Sequence, residues 1–542
     1  MKINKIKFKE YQQNQMVLLP SNLDDLIPAE HPVRVVNKII DEIEISPLLK
    51  KYNPAGCHSY HPKMLLKVIV YGYLSNIYSS RKIEAAVKEN ISFMWLAAMN
   101  QPDHNTINRF RSERLKGVIK KIFSQIVLLL VESGHVDLQK VYTDGTKIEA
   151  NANRYTFVWG KNVKRYKQNL HQQLEELWNY AESIAKEELK DTTPTSFEKL
   201  NPEEVQKTIN SIDKALVGKE VDEKIKKKVK EAKRSMSKKI EQYQEQEDIL
   251  DKRNSFSKTD PDATFMRMKE DHLGKGELKP AYNVQISTEN QIITNYGIYQ
   301  RPGDTATLIP YLKTFEQRYG VHSETIVADS GYGSEQNYEY MIDNNMTPFV
   351  KFNMFHVENK SKFKNNPFLP QNLYYDKEGN YLVCPMGQKI KFIGRKKNVS
   401  DMGYVSYLDV YQAQNCKGCN MRALCHKSEG NRRIELNPKL NSYKQIARDL
   451  LTSEKGLYHR SMRPIEPEAV FGQIKSNSMF KRFRLRSVPK INVEFGLVAL
   501  AHNIKKIVKI KDKHQQTEKN LSLLSIFTLF VRVEIYPVKI AA

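Results

Sequence analysis

Two aspartates stand where a hydrophobic run gives way to small residues: Asp144 in Val141-Tyr142-Thr143-Asp144-Gly145, and Asp329 in Ile326-Val327-Ala328-Asp329-Ser330-Gly331. Strand ends of an α/β sheet are where such folds expose functional side chains. If the two strands are neighbours, the carboxylates converge, and like charges at close range call for a cation. Mg²⁺, a hard ion that prefers oxygen ligands, is the natural one. The alternative is that each aspartate caps the loop or helix after it, and without a third carboxylate the two readings weigh equally. Residues 463–475 offer Glu466 and Glu468 around Pro467, which suits the first turn of a helix. Glu468 and Lys475 are seven apart and share a helical face at ~3.6 residues per turn, whereas Glu466, nine from Lys475, falls opposite. Glu468 is therefore the predicted third carboxylate, with Lys475 placed to meet a substrate phosphate.

A second constellation is built on sulfur. Cys416-Lys417-Gly418-Cys419 is followed by Cys425, and Cys384 precedes a Pro-Met-Gly turn. Four thiolates of this kind can close a tetrahedral structural zinc site, which would staple an insert too small and polar to fold on its own core. Reduced free thiols are the alternative. Cys57 reads as a buried small hydrophobe.

The elements that must position these groups follow from apolar periodicity. From about Leu26 to Ser133 the apolar residues recur at helical spacing, and Ser79 and Asp103 stand where they can cap short helices. The second of these carries Arg109 and Arg111, as a DNA-reading unit would; a plain bundle with a solvated basic face is the other reading. A strand ends near Asp144. Residues 161–251 are long, charged and helical, a solvated arm rather than a binding surface. A hairpin over Tyr282–Tyr299, a helix over Asp304–Tyr319, a strand Thr325–Ala328, a helix Ser334–Asn344 and a strand Pro348–Phe352 then make a mixed α/β sheet. Residues 355–441 break into short Tyr-rich pieces and read as a β-rich insert holding the clustered cysteines. From Lys444 to Lys513 there are 16 Lys plus Arg against 6 Asp plus Glu, a net +10, with Lys481, Arg482, Arg484 and Arg486 as predicted DNA contacts.

Composition narrows the partner. Of 542 residues, 40% are hydrophobic and 27% charged, which excludes collagen, mucin and wholesale disorder. A net charge of +24 points to a polyanion. Met1 to Gln12 leads into no apolar segment of signal-peptide length, so export is not expected. The longest apolar stretches, near Ile126 and from Leu521 to Val533, fall short of the ~20 residues that span a bilayer. Five cysteines suit a reducing cytosol.

In order along the chain, Ser80-Arg81-Lys82-Ile83-Glu84, Pro102-Asp103-His104-Asn105-Thr106-Ile107, Asp144-Gly145-Thr146-Lys147, Ala328-Asp329-Ser330-Gly331-Tyr332, Glu468-Ala469-Val470-Phe471-Gly472-Gln473-Ile474-Lys475, Arg482-Phe483 and Ala501-His502-Asn503 resemble the bacterial insertion-sequence transposases with an RNase H-like core and a DDE triad. The resemblance covers nearly the whole chain. It implies Asp144, Asp329 and Glu468 as the triad, holding two Mg²⁺ ions ~4 Å apart, with Mn²⁺ able to substitute; Arg463 and Lys475 are their basic companions. It implies cleavage of double-stranded DNA at the element's terminal inverted repeats and joining of the freed 3′-hydroxyl to target DNA, by a homodimer in the bacterial cytoplasm at the nucleoid. A metal-dependent nuclease that cuts without joining, and a non-catalytic DNA-binding remnant or repressor, are the rivals. The signature spacing departs from that of related transposases at Tyr458, and Trp95, Trp159 and Trp178 lie outside the β-rich insert where hairpin-forming relatives stack a flipped base. The expected architecture is a helical N-terminal DNA-binding domain (1–135), an RNase H-like core in three parts (136–160, 256–354, 444–515), a charged helical insertion (161–255), a β-rich insertion with a zinc site (355–443) and an apolar tail (516–542).

Overall fold

The protein was described by a computed structural model covering residues 22–52, 59–190, 194, 196–268 and 276–517. Cys57 and the apolar tail from 518 onward lie outside the described residues. The chain divides into two units, one holding the N-terminal part through Val118 and the residues from Asn503, the other Ile119–His502.

The first unit is helical for the reasons its periodicity suggests. Pro32 opens the helix Pro32–Glu42, which buries Val33, Val36, Ile39 and Ile40 at intervals of three and four. The helix Pro62–Leu74 is buried nearly all round, with ten residues from Pro62 to Tyr73 shielded from solvent, so it forms the unit's centre. The Asp103 carboxylate accepts the Thr106 N–H at 2.8 Å and starts the helix His104–Arg109. Ser79 occupies the cap position of Ser80–Glu89, but its hydroxyl makes no cap hydrogen bond. Glu84 fastens the two helices together by accepting from both the backbone N–H and the ring Nδ1 of His104, at 3.0 and 2.7 Å. Arg109 is exposed. Arg111 corrects the sequence reading: it is 3% exposed and donates to the Tyr78 carbonyl, the Tyr73 hydroxyl and Asn108. A guanidinium so enclosed holds the unit together and does not face DNA.

In the second unit, β1 (Lys140–Glu149) crosses the middle of a six-stranded sheet. A short pair, β2 (Phe157–Trp159) with β3 (Ser255–Ser257), closes the base of the helical insertion. Then follow β4 (Thr264–Arg267), β5 (Leu278–Glu289), β6 (Ile292–Tyr299), β7 (Thr325–Ala328) and β8 (Thr347–Val350). The order is β4-β5-β1-β7-β8, with β6 also paired to β5. The β5–β6 hairpin predicted from its alternation is present, turning through Asn290 and Gln291 at positive φ. β5 runs antiparallel to β1, whereas β7 and β8 run parallel to it and to each other. The helix placed at Asp304–Tyr319 begins at Leu308, which leaves Asp304 on the loop before it.

The helical insertion packs the helices Gly160–Ile184, Pro202–Ala215 and Glu223–Leu250 on a core of their own that includes Leu174, Trp178, Ile209, Ile212, Val229 and Ile240. The β-rich insertion is a second sheet of β9 (Tyr374–Asp376), β10 (Tyr381–Val383), β11 (Lys389–Val399), β12 (Val405–Ala413) and β13 (Arg433–Leu436), ordered β13-β12-β11-β10-β9. Its buried core is thin: Leu373, Leu382, Ile390, Tyr411, Ala413 and Ile434. Among the described residues no helix is long and apolar enough to cross a membrane.

Candidate active site

Register places the two aspartates side by side. Tyr142 of β1 pairs with Val327 of β7 in a parallel ladder, so two residues further along both strands Asp144 stands beside Asp329. Side chains in register on parallel strands point to the same face. Each aspartate thus projects at the carboxyl end of the β1–β7 pair, where open α/β sheets place their ligands.

The third carboxylate arrives from the C-terminal helices, which are pinned to the sheet from beneath. The buried His459, in the helix Glu454–Met462, shares a 2.9 Å hydrogen bond between its Nδ1 and the Tyr142 hydroxyl on β1. Glu466 is 2% exposed and accepts the Gln291 N–H at the β5–β6 turn, at 2.9 Å. Gln473 donates to the Gln291 side chain at 3.1 Å. Glu466 is thus an anchor, and Glu468 is the residue turned toward the aspartates. The regular helical spacing used to separate the two does not apply in detail. Pro464–Glu468 and Gln473–Asn477 are π-helical, flanking a short α-helical stretch Ala469–Gly472. Pro467 has no N–H to give to the preceding turn, and such widened turns recur at functional sites.

One guanidinium joins all three acids. Arg463 has a side chain only 5% exposed, with Nη1 2.9 Å from Asp329, and Nη2 3.6 Å from Asp144 and 3.8 Å from Glu468. Its Nε is buried with no hydrogen-bond partner. Burial works to raise the Asp329 carboxyl, but the Arg463 guanidinium, the Ser330 backbone N–H and the Lys351 ammonium outweigh it and hold the group below the ordinary aspartate range. Asp329 is therefore ionised at neutral pH, as a cation ligand must be. The donor set is three hard carboxylate oxygens facing a position now served by a cation, which suits Mg²⁺ or Mn²⁺. Among the described residues, no three His, Cys, Asp or Glu side chains are gathered closely enough to hold a metal ion as they stand. It is the guanidinium that spans the gap between the acids.

Sequence reading missed a fourth carboxylate close by. Asp304 Oδ1 accepts from Asn283 at 2.7 Å and from Gln285 at 2.9 Å, and the Tyr332 hydroxyl donates to the same Gln285. A Cβ on Gly145 would come within 2.8 Å of Asp304 Oδ1, so the residue after Asp144 must be glycine for this polar floor to close. Asp304 could have been singled out by Gly303-Asp304-Thr305 preceding the helix, but nothing in that tripeptide points to a partner on β5.

The predicted DNA contacts divide. Lys475 is half-buried on the second π-helical turn. Lys481, Arg482, Arg484 and Arg486 are all exposed, yet two of them are engaged in structure. Arg482 donates to the Ala150 and Ala152 carbonyls at 3.1 and 3.2 Å and lies 3.7 Å from Glu149, while Arg486 donates to the Asn151 carbonyl at 2.8 Å. The Arg484 N–H is capped by Glu494 at 2.9 Å. This segment is stitched to the chain leaving β1, and Lys481 and Arg484 are the cations it turns outward.

The four clustered cysteines are in no disulfide and line one cavity of about 280 Å³ together with His426 and Arg432, although no three of their sulfurs are gathered as a metal ion would need. N–H groups already point at the sulfurs: Gln388 N to Cys384 Sγ at 3.3 Å, Arg432 N to Cys416 Sγ at 3.4 Å, and Arg432 Nη1 to Cys425 Sγ at 3.1 Å.

With this geometry in place, two family models match the chain. Residues 21–113 match a transposase domain (DUF772), and residues 383–508, which include the cysteines, Arg463, Glu468 and Lys475, match a transposase DDE domain. No curated protein and no solved structure matches.

Proposed function

We propose, for a chain whose two domain matches mark it as an insertion-sequence transposase of the DDE type, that Asp144, Asp329 and Glu468 form the reaction centre for cutting DNA at the element's ends and joining the freed 3′-hydroxyl to target DNA. The observation that carries this reading is the meeting of three carboxylates, drawn from three distant stretches of sequence, on one buried guanidinium at the carboxyl end of parallel strands. A cluster of acids maintained by a single internal cation has little value to stability, since a buried ionic group is weak evidence for it. It is what an in-line phosphoryl displacement needs.

The three carboxylates would hold Mg²⁺ or Mn²⁺, which when bound activates a water or 3′-hydroxyl and stabilises the leaving oxygen. The chain's own residues orient the DNA. Asp144 and Asp329 are fixed by the strand register, and Glu468 by the anchoring of Glu466 and His459 beneath it. Arg463 compensates the acids, and Lys475 meets a phosphate of the strand. Lys481, Arg484 and Arg109 are exposed cations suited to the flanking duplex. Two copies of the chain acting on the two element ends complete the reading. In the β-rich insertion, Cys384, Cys416, Cys419 and Cys425 would hold a structural zinc; their shared cavity supports this.

The test is Asp329→Asn, which preserves shape and removes charge. Cleavage of a duplex carrying the DNA that flanks the gene should fall at least ~10³-fold, as for loss of a principal electrostatic group, while gel-shift affinity for the same duplex stays near wild type. Normal cleavage by this variant would sink the mechanism. A strand-transfer assay with a pre-cut 3′ end separates joining from nuclease action alone.

A further inference from the structure

A group of cations beside the reaction centre joins Lys351, which lies outside the basic stretch 444–513, to Lys444 and Arg460 from within it. Ala328 of β7 pairs with Val350 of β8, and the Lys351 N–H reaches the Ala328 carbonyl at 3.4 Å. One residue beyond the ladder, Lys351 therefore stands beside Asp329 as Asp144 does on the other flank. Across β1, β7 and β8 the parallel register sets acid, acid and base in a row.

The loop that follows β8 carries an aromatic support for further positive charge. Phe352 and Phe355 are buried and meet edge to face, with centroids 5.4 Å apart. The Arg460 guanidinium lies over Phe355 at 5.3 Å, and the Lys444 ammonium over Phe352 at 5.8 Å. Rings in this position hold cations in place through their negative faces and limit the rotamers available to them. Arg448 also stacks on Phe352, but it is paired with Glu358 at 2.6 Å. Neither Lys351 nor Arg460 forms an ion pair with a carboxylate among the described residues, because Asp329 and Glu468 are engaged by Arg463. Like charges therefore face one another. Burial and the nearby Arg463 and Arg460 depress the Lys351 ammonium against the opposing pull of Asp329 and Glu468, and burial, Lys351 and Arg460 depress the His356 imidazole against that of Asp329. A solvated basic face would spread such charges apart. Here the fold gathers them, partly desolvated, at the rim of an acidic site, an arrangement that a bound polyanion relieves.

We infer that Lys351 and Arg460 form a phosphate-binding subsite that grips the DNA backbone next to the scissile phosphodiester, with Lys444 extending it outward. The inference rests on the reading of Asp144, Asp329 and Glu468 as the reaction centre. It assigns to the β8 side of that centre the contact that holds the strand in place, whereas in the segment 481–486 Arg482 and Arg486 are already bonded to the carbonyls of 150–152. Lys351 and Arg460 are positioning residues for the strand; the acids act on the phosphodiester.

The full-length double variant Lys351→Met with Arg460→Met keeps the apolar stems against the rings and removes both charges. Binding to a short DNA duplex of arbitrary sequence, titrated at several salt concentrations, should lose about two units of log K against log salt slope, ~0.9 per phosphate contact. Affinity at low salt should fall at least tenfold, and the concentration of duplex needed for half-maximal cleavage should rise while the rate at saturation changes much less. The charge-preserving pair Lys351→Arg with Arg460→Lys should restore most of the affinity. If the single Lys351→Met protein, folded by its melting curve, shows wild-type affinity and slope, the subsite is wrong. If Asp329→Asn cleaves normally, it is the reaction centre that fails, and an unchanged salt slope in the double variant alone leaves that centre standing.

Discussion

The carboxylate site and the cysteine insert solve the same problem, gathering like groups at one point, in opposite ways. Asp144, Asp329 and Glu468 come from two strands and a helix more than a hundred residues apart in turn, and a six-stranded sheet with buried anchors at His459 and Glu466 sets their positions. An internal guanidinium serves as their counter-charge. The four thiols lie within residues 384–425, on a sheet whose buried core is six residues. The first site is held by the fold. The second, if it takes zinc, would help to hold its own part of the fold, because so small a core contributes little stability by itself.

That contrast can be broken by removing the cation on each side. Stripping zinc with a strong chelator, or changing Cys416 and Cys419 together to Ala, should lower the first melting transition by many degrees and open residues 355–443 to protease, with the sheet of β1, β7 and β8 still folded. Protein that contains no zinc by elemental analysis, and whose melting ignores chelators, would leave the cysteines as plain thiols. On the acidic side, Arg463→Met should cost about 2 kcal/mol, below the 3–5 typical of a fully buried pair because Asp329 and Glu468 are half-exposed. Mn²⁺ should then raise the melting temperature of the variant more than that of the wild type, since three carboxylates are left without their shared cation. Equal Mn²⁺ shifts in both proteins would argue that Arg463 does not stand in for a metal.

The smallest expected effect sharpens the division among the basic residues. Arg482→Ala and Arg486→Ala should each cost roughly 1 kcal/mol through hydrogen bonds lost to the carbonyls of 150–152, seen as a lower denaturation midpoint. Their effect on the salt slope of DNA binding should be smaller than that of Lys351 and Arg460. The reverse pattern would return the phosphate contacts to the C-terminal segment.

How much of this was legible depended on whether the signal was local. A short apolar run followed by small residues singled out Asp144 and Asp329, but it marks a strand end only at Asp329, because β1 continues through Gly145 to Glu149 on its pairing with β5. The order of short motifs carried a family resemblance that the two transposase domain matches support. The Asp103 cap was readable because a cap is a contact three residues long. Arg111 misled because its charge is visible in sequence but its burial is not; only the folded unit brings Tyr73, Tyr78 and Asn108 around it. Arg482 and Arg486 stay exposed, but the carbonyls they hold lie more than three hundred residues earlier, a contact no local signal announces.

The sequence by itself determined the alternation of helical and strand segments and the positive charge, and it made Asp144, Asp329 and Glu468 candidates, because each of these is a property of a residue or of its near neighbours. Tertiary structure alone decided that Asp144, Asp329 and Glu468 meet at Arg463, that Glu466 faces away, and that Lys351 and Arg460 stand at the rim. Parallel strand pairing joins residues across any length of chain through backbone hydrogen bonds that carry no side-chain signature. Which charges end up desolvated and facing one another is therefore written in the register of β1, β7 and β8, and not in the spacing of the residues along the chain.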